Sequence, residues 1–213
     1  MPLPPYVYHL AEAGNWPLIQ RDGLRCTASL LRQAKVRGSA LNRHGREQRP
    51  ANVLLPSGVT IRHQRPMPPA ALERCLVDMT PNEWYALLNS RVFFWPDVAR
   101  MNRQRLACAA DPQVLMVIDT TALLARYGHR AYVSPINTGN ARRRPAKRGQ
   151  ATFVPYDRWI SDRWTSECAA LGISPRSANH PPAELTIAGD VPDVMEFVVG
   201  THILDAGECY GGR

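Results

Sequence analysis

Apolar and polar positions change period several times along the chain, and the changes mark out its elements. Tyr6–Glu12 (YVYHLAE) alternates and is rich in aromatic and branched residues, the pattern of a strand. A helix follows through Leu18, Ile19 and Arg21, with Asn15 as its cap, Pro17 in its first turn and Gly23 as its stop. A second helix is expected over Thr27–Lys35, and the polar, basic run Arg37–Pro50 reads as a loop. Val53–Leu55 and Val59–Arg62 read as short strands around the Pro56-Ser57-Gly58 turn. Helices are expected over Pro68–Leu76 and Pro81–Asn89. The second opens with Thr80, Pro81 and Glu83 at capping-box spacing.

Arg91–Trp95 is an apolar strand, Val98–Ala109 a basic helix and Gln113–Asp119 a buried strand. Thr120–Tyr127 follows as a helix and Ala131–Val133 as a strand. Ile136–Arg148 is a Gly/Arg-rich loop. Thr152–Val154 reads as a strand, Pro155–Leu171 as one helix and Ser174–Pro182 as a second loop. Glu184–Ala188 and Met195–Val199 are the closing strands. Strands and helices mix without regular βαβ alternation, and no internal repeat is visible. The expectation is an α+β fold around a split or antiparallel sheet, in one domain over residues 1–213.

Composition narrows the chemistry. The chain is 45% hydrophobic and 21% charged, which is globular. No apolar run of about 20 residues exists, so no membrane partner is expected. Met1–Tyr8 lacks the basic and apolar segments of a secretory signal. The five cysteines are scattered without paired spacing, which fits a reducing, cytoplasmic setting and favours neither disulfides nor zinc. A formal net charge of +8 suits a polyanion, either nucleic acid or a phosphate-bearing ligand. The phosphate-binding GxxxxGK[ST], the strand-linked GxGxxG, the GxSxG elbow and HExxH are all missing. No metal is expected, and any dinucleotide would be bound without a Rossmann fingerprint.

Five segments, in order, carry a resemblance. They are Tyr8-His9-Leu10 with Ala13–Ile19 and Gly23-Leu24; Arg91–Pro96 with Arg100-Met101; Val114–Thr120; Ser134–Gly139 with Arg148-Gly149 and Thr152-Phe153; and Pro182–Ile187 with Gly189–Pro192 and Val194-Met195. Together they resemble the DarT-type ADP-ribosyltransferases, toxins that modify DNA bases. The resemblance implies an ADP-ribosyltransferase-like split antiparallel sheet with flanking helices, and NAD consumed as a substrate. Glu184 takes the place of the catalytic glutamate. His9, Leu10 and Asn15 fall in the NAD site. An aromatic side chain would stack on the nicotinamide ring. Alternation puts Phe93 and Trp95 on one face and Phe94 on the other, and Phe94 and Trp95 are the candidates, one from each face. The arginines open to a pyrophosphate are Arg62, Arg65 and Arg91. Asn137, Arg142, Arg143, Arg144, Lys147 and Arg148 lie in the loop that would hold a nucleic acid.

The family's phosphate-contacting arginines have only a loose counterpart in Ile61–Pro66, and Met67–Asn89 is longer than expected. A relative with a different target therefore stays open. The implied reaction moves ADP-ribose from NAD to a base, in DNA before RNA by the resemblance, and in single strands because extruding a base from a duplex costs a few kcal/mol. The implied role is a toxin or phage-defence factor with an ADP-ribose hydrolase as antitoxin. Other readings remain: a protein or RNA acceptor, an NAD glycohydrolase, an RNA 2′-phosphotransferase, a non-catalytic basic nucleic-acid-binding module, or an interaction protein. At residue level the plain alternatives are a half-buried strand histidine, an ordinary capping asparagine, a solvated basic loop and a glutamate on the rim of an edge strand.

Overall fold

The computed structural model describes residues 2–108, 110–142 and 145–211. Two antiparallel sheets form its frame. The first has β1 (Tyr6–Glu12), β5 (Gln113–Asp119) and β9 (Val198–Leu204) in the order β1-β5-β9. The second has β4 (Arg91–Phe94), β6 (Ala131–Ser134), β7 (Val154–Pro155) and β8 (Glu184–Ala188) in the order β4-β8-β6-β7. A hairpin of β2 (Val53–Leu54) and β3 (Thr60–Ile61) stands apart. This is an α+β fold.

The core explains the order. β5 is the middle strand of its sheet, and its continuous apolar run is buried on both faces. Val114, Met116 and Ile118 face Val92 and Phe94 of β4 and Leu185 and Ile187 of β8, in one cluster between the sheets. Leu115 points the other way, to Leu10, Met101 and Leu204. Each such side chain contributes about 1.5–3 kcal/mol on full burial.

The helices are α1 (Trp16–Asp22), α2 (Thr27–Gln33), α3 (Gly38–Arg46), α4 (Pro69–Glu73), α5 (Pro81–Asn89), α6 (Val98–Ala107), α7 (Thr120–Tyr127), α8 (Tyr156–Asp162) and α9 (Thr165–Leu171). The capping box of α5 forms as its spacing predicts, with Thr80 and Glu83 bonded reciprocally. None of the helices is long and apolar enough to cross a membrane among the described residues.

Four expectations are corrected. Residues 38–46 form α3 rather than a loop. Its last carbonyls, which a helix leaves unpaired, receive distant side chains: Arg49 Nη1 donates to His44 O at 2.6 Å, and Asn89 Nδ2 to Gly45 O at 2.9 Å. The helix expected over 155–171 breaks at Arg163, where φ is +57°. The break lets both Trp159 and Trp164 enter the core. On one continuous helix, residues five apart would point about 140° away from each other. Residues 150–152 form a short 3-10 turn before β7, and residues 194–196 another before β9. The last strand therefore starts later and runs further than expected.

Gly23 ties the end of α1 to the far end of the chain. It sits at φ +74°, and a Cβ there would come 2.1 Å from the Pro192 carbonyl oxygen. Leu24 and Val191 exchange two backbone hydrogen bonds beside it, at 2.9 and 2.8 Å. The Gly23-Leu24 and Val191-Pro192 pairs picked out in the sequence thus meet in space.

Candidate functional site

The two sheets touch along β1 and β4 and then part. Tyr8 N–H donates to Trp95 O at 2.9 Å, and Trp95 N–H donates to Tyr8 O at 2.8 Å. Ladder geometry would bring the Leu10 N–H to the Phe93 carbonyl next. Instead the His9 ring occupies the gap, and its Nδ1 bonds that carbonyl at 2.8 Å. The strands splay from this point, and a cleft of about 730 Å³ opens between them. That volume falls within the roughly 300–1,000 Å³ typical of small-ligand sites.

His9 acts as the wedge. A carbonyl only accepts, so Nδ1 carries the proton and Nε2 is left as an acceptor. Burial pushes the imidazole pKa down to about 4, with Arg62 acting in the same direction, so the ring is neutral near pH 7. His9 itself pairs with Met116 in the β1–β5 ladder. The backbone turned toward the cleft is that of Leu10, whose groups point the same way as those of Tyr8 two residues earlier. Arg62 Nη2 reaches the Leu10 carbonyl at 3.5 Å.

Glu184 stands across the cleft. It opens β8, the second strand of the order β4-β8-β6-β7, and pairs with Ser134 of β6. It is 3% exposed, so the reading as a rim residue on an edge strand is excluded. Its two oxygens are held by one residue. Thr138 N–H donates to Oε1 at 3.1 Å, and Thr138 Oγ1 donates to Oε2 at 2.7 Å. Burial pushes the carboxyl pKa up to about 7, against these two bonds and the nearby Arg148 and Arg100 charges. The group therefore titrates near neutrality and is a candidate for acid–base work.

Most of the other sequence candidates gather on the same cleft. Asn15, Arg62, Arg65, Arg91, Trp95, Asn137 and Arg142 line it with His9, Leu10 and Glu184. Their roles differ from expectation at several points. The Asn15 side chain does not cap α1. It clamps the hairpin, with Nδ2 donating to Thr60 O at 2.8 Å and Oδ1 accepting from Thr60 N–H at 2.9 Å. Arg62 pairs with Glu12 at 2.8 Å. Arg65 is bonded to Pro50 O at 2.6 Å. Phe94 is corrected: it is fully buried in the intersheet core and faces away from the cleft, and Phe93 lines the wall in its place.

Arg91 lies buried between two rings, with its guanidinium carbon 4.3 Å from the centroids of both Tyr132 and Phe153. It has no carboxylate partner among the described residues, and its Nε is unbonded. Desolvation lowers its pKa to about 10.

The basic loop divides. Arg142 sits at the mouth, with its Nη2 3.4 Å from Arg65 O. Lys147 is exposed and lies off the cleft, beside Gly172 O at 3.5 Å. Arg148 is corrected: it is 2% exposed, which removes it from contact with a polyanion. Its guanidinium holds the loop from within, donating to Thr138 O at 3.3 Å, Asn140 O at 2.9 Å and Ala146 O at 3.1 Å. Arg143 and Arg144 lie outside the described residues.

Sequence reasoning passed over Thr138 and Arg49. Arg49 lines the cleft, is buried, and donates to Arg62 O at 2.9 Å and to Asn89 Oδ1 at 3.2 Å. Desolvation pulls its pKa to about 10. It sits in a polar run with no periodicity, so no sequence signal marks it. Among the described residues no three His, Cys, Asp or Glu side chains come together as a metal site.

No curated protein and no solved structure matches this chain. One family does, over residues 5–198, a span that takes in β1, the hairpin, Arg91, Thr138 and Glu184. The chain belongs to DUF7002, a family of unknown function.

Proposed function

We propose that the chain is an NAD-dependent mono-ADP-ribosyltransferase that works in this cleft, with Glu184 as its catalytic carboxylate. The observation that carries the reading is the meeting of Glu184 with the split between β1 and β4. A buried carboxylate that titrates near pH 7 there faces a neutral histidine and a stretch of open strand backbone. The two splayed antiparallel sheets also support an ADP-ribosyltransferase-like core, the finer fold implied by the sequence resemblance.

In this reading the nicotinamide carboxamide pairs with the Leu10 backbone. A ribose hydroxyl donates to His9 Nε2, and Phe93 or Trp95 covers the ring. The pyrophosphate meets buried cations that lack carboxylates, Arg91 and Arg49, with Arg62 and Arg65 nearer the mouth. Glu184 accepts a hydrogen bond from a hydroxyl of the nicotinamide ribose. It stabilises the positive charge that grows on the sugar as the C1′–N bond breaks and nicotinamide leaves with the bonding pair. An acceptor nitrogen or oxygen then gives its lone pair to C1′, and its proton passes to a Glu184 oxygen. Arg142 and Asn137 at the mouth suit a strand of nucleic acid, and the net charge of +8 favours one. Single-stranded DNA is the acceptor proposed, since its bases need no extrusion. A toxin or phage-defence role, with a hydrolase antitoxin, follows from the resemblance.

The test incubates protein and NAD separately with single-stranded DNA and RNA oligonucleotides and reads their masses. A gain of one ADP-ribose on DNA, lost in Glu184→Ala with the fold retained, is the expected result. A gain on RNA alone moves the acceptor. Nicotinamide release with no oligonucleotide gain points to a protein acceptor or to plain NAD hydrolysis. Salt-sensitive oligonucleotide binding with NAD untouched leaves only a binding module.

A further inference from the structure

One backbone segment both lines the mouth of the cleft and grips its carboxylate. Asn137 and Arg142 face the cleft, while Thr138 between them is fully buried. Thr138 gives its N–H to one Glu184 oxygen and its O–H to the other. Its own carbonyl accepts from Arg148 Nη1, which also donates to Asn140 O. The segment is pinned further by Ala141 N–H to Pro66 O at 2.8 Å and by Arg148 N–H to Cys75 O at 2.8 Å. A carboxylate at the start of a strand has free rotation about its side-chain bonds, and a pair of donors on one residue removes it.

We propose that Thr138 is the positioning residue of Glu184, fixing the direction of its carboxylate. The proposal rests on the reading of Glu184 as the catalytic group. Donation to a charged oxygen is stronger than donation to a neutral acid, so the hydroxyl favours the carboxylate over the acid. The charged groups acting on Glu184 from the elements around it are Arg148 on the same segment and Arg100 on α6, and both act in the same direction as Thr138. Removing the hydroxyl leaves burial less opposed. The carboxyl then stays protonated to higher pH, and its direction is set by the backbone N–H alone instead of by two donors.

The experiment compares wild type, Thr138→Val and Thr138→Ser, all in the full chain. Glu184 is followed by carboxyl carbon NMR against pH, with Glu184→Gln to assign its signal. Nicotinamide release is followed over the same range. The expected result is an upward move of the Glu184 midpoint from about 7 in the valine variant, with the pH profile of kcat moving alongside it. A fall in kcat of about tenfold or more is also expected, the loss of one charge-assisted hydrogen bond of about 1.5–3 kcal/mol. The serine variant keeps the hydroxyl and should titrate as wild type. A valine variant with the wild-type midpoint overturns the proposal, and so does a serine variant that shifts as far as valine. The NMR arm decides the Thr138–Glu184 link even where NAD is not turned over, so its failure is distinct from failure of the enzymatic reading.

Discussion

Two groups of arginines are neutralised by different means. Three arginines away from the cleft meet carboxylates: Arg176 meets the buried Glu167 at 2.9 Å, Arg126 meets Asp193 at 3.2 Å and Arg158 meets Asp162 at 3.2 Å. At the cleft wall Arg49 and Arg91 are buried, yet they meet carbonyls, an amide and aromatic faces. Buried charge without a counter-charge costs several kcal/mol. In the proposed reading the counter-charge missing at Arg49 and Arg91 comes from a bound anion, while Arg62 on the same wall is already paired with Glu12. Two phosphates in a bound dinucleotide would supply the missing charge.

Breaking a completed pair should have the largest effect. Arg176→Met leaves Glu167 charged in the interior and should cost about 3–5 kcal/mol in urea unfolding. Next comes the carboxylate of the site. Glu184→Gln should lower nicotinamide release about 100–1,000-fold, the usual loss for a group that stabilises transition-state charge. The same change should raise stability at pH 8. The folded pKa of Glu184 lies above its ordinary value of 4.5, so the native state binds the extra proton between pH 4.5 and about 7. Stability is therefore lost as pH rises through that window, by on the order of 3 kcal/mol. His9 has the opposite sign. Its folded pKa of about 4 lies below 6.5, so its contribution is lost as pH falls from 6.5 to 4. Unfolding curves of the glutamine variant should lose the Glu184 part of the pH dependence and keep that of His9.

Arg91→Met sharpens the contrast. Removing a buried cation with no acidic partner should leave stability unchanged or raised, while NAD binding by calorimetry weakens about tenfold to a hundredfold, one or two charge-assisted hydrogen bonds. Equal loss of stability and of NAD affinity would show that Arg91 is structural. The smallest effect belongs to the surface: Arg158→Ala should change unfolding free energy by less than about 1 kcal/mol and leave NAD binding alone.

Much of the frame was legible in the chain because local signals agreed with the tertiary ones. β1, β5 and β8 lie where their patterns place them, and the Thr80 capping box forms. The failures share a cause. α3 exists because Arg49 and Asn89 cap it from a distance, and the helix break at Arg163 serves two core tryptophans. Neither is encoded within its own segment. In the site, alternation separated Phe93 from Phe94 without saying which face was the core. Charge counting could not distinguish Arg142 at the mouth from Arg148 inside. Asn15 sits at a helix start but spends its amide on a hairpin 45 residues away. Thr138 was invisible, since a threonine in a loop carries no sign of the carboxylate it holds.

The most direct test of the central claim is nicotinamide release from NAD by the wild-type protein and by Glu184→Ala, with single-stranded DNA present. Release by the wild type and none by the folded variant is the predicted result. Equal release by both, or none by either, would contradict the assignment of this cleft as the place where NAD is cleaved.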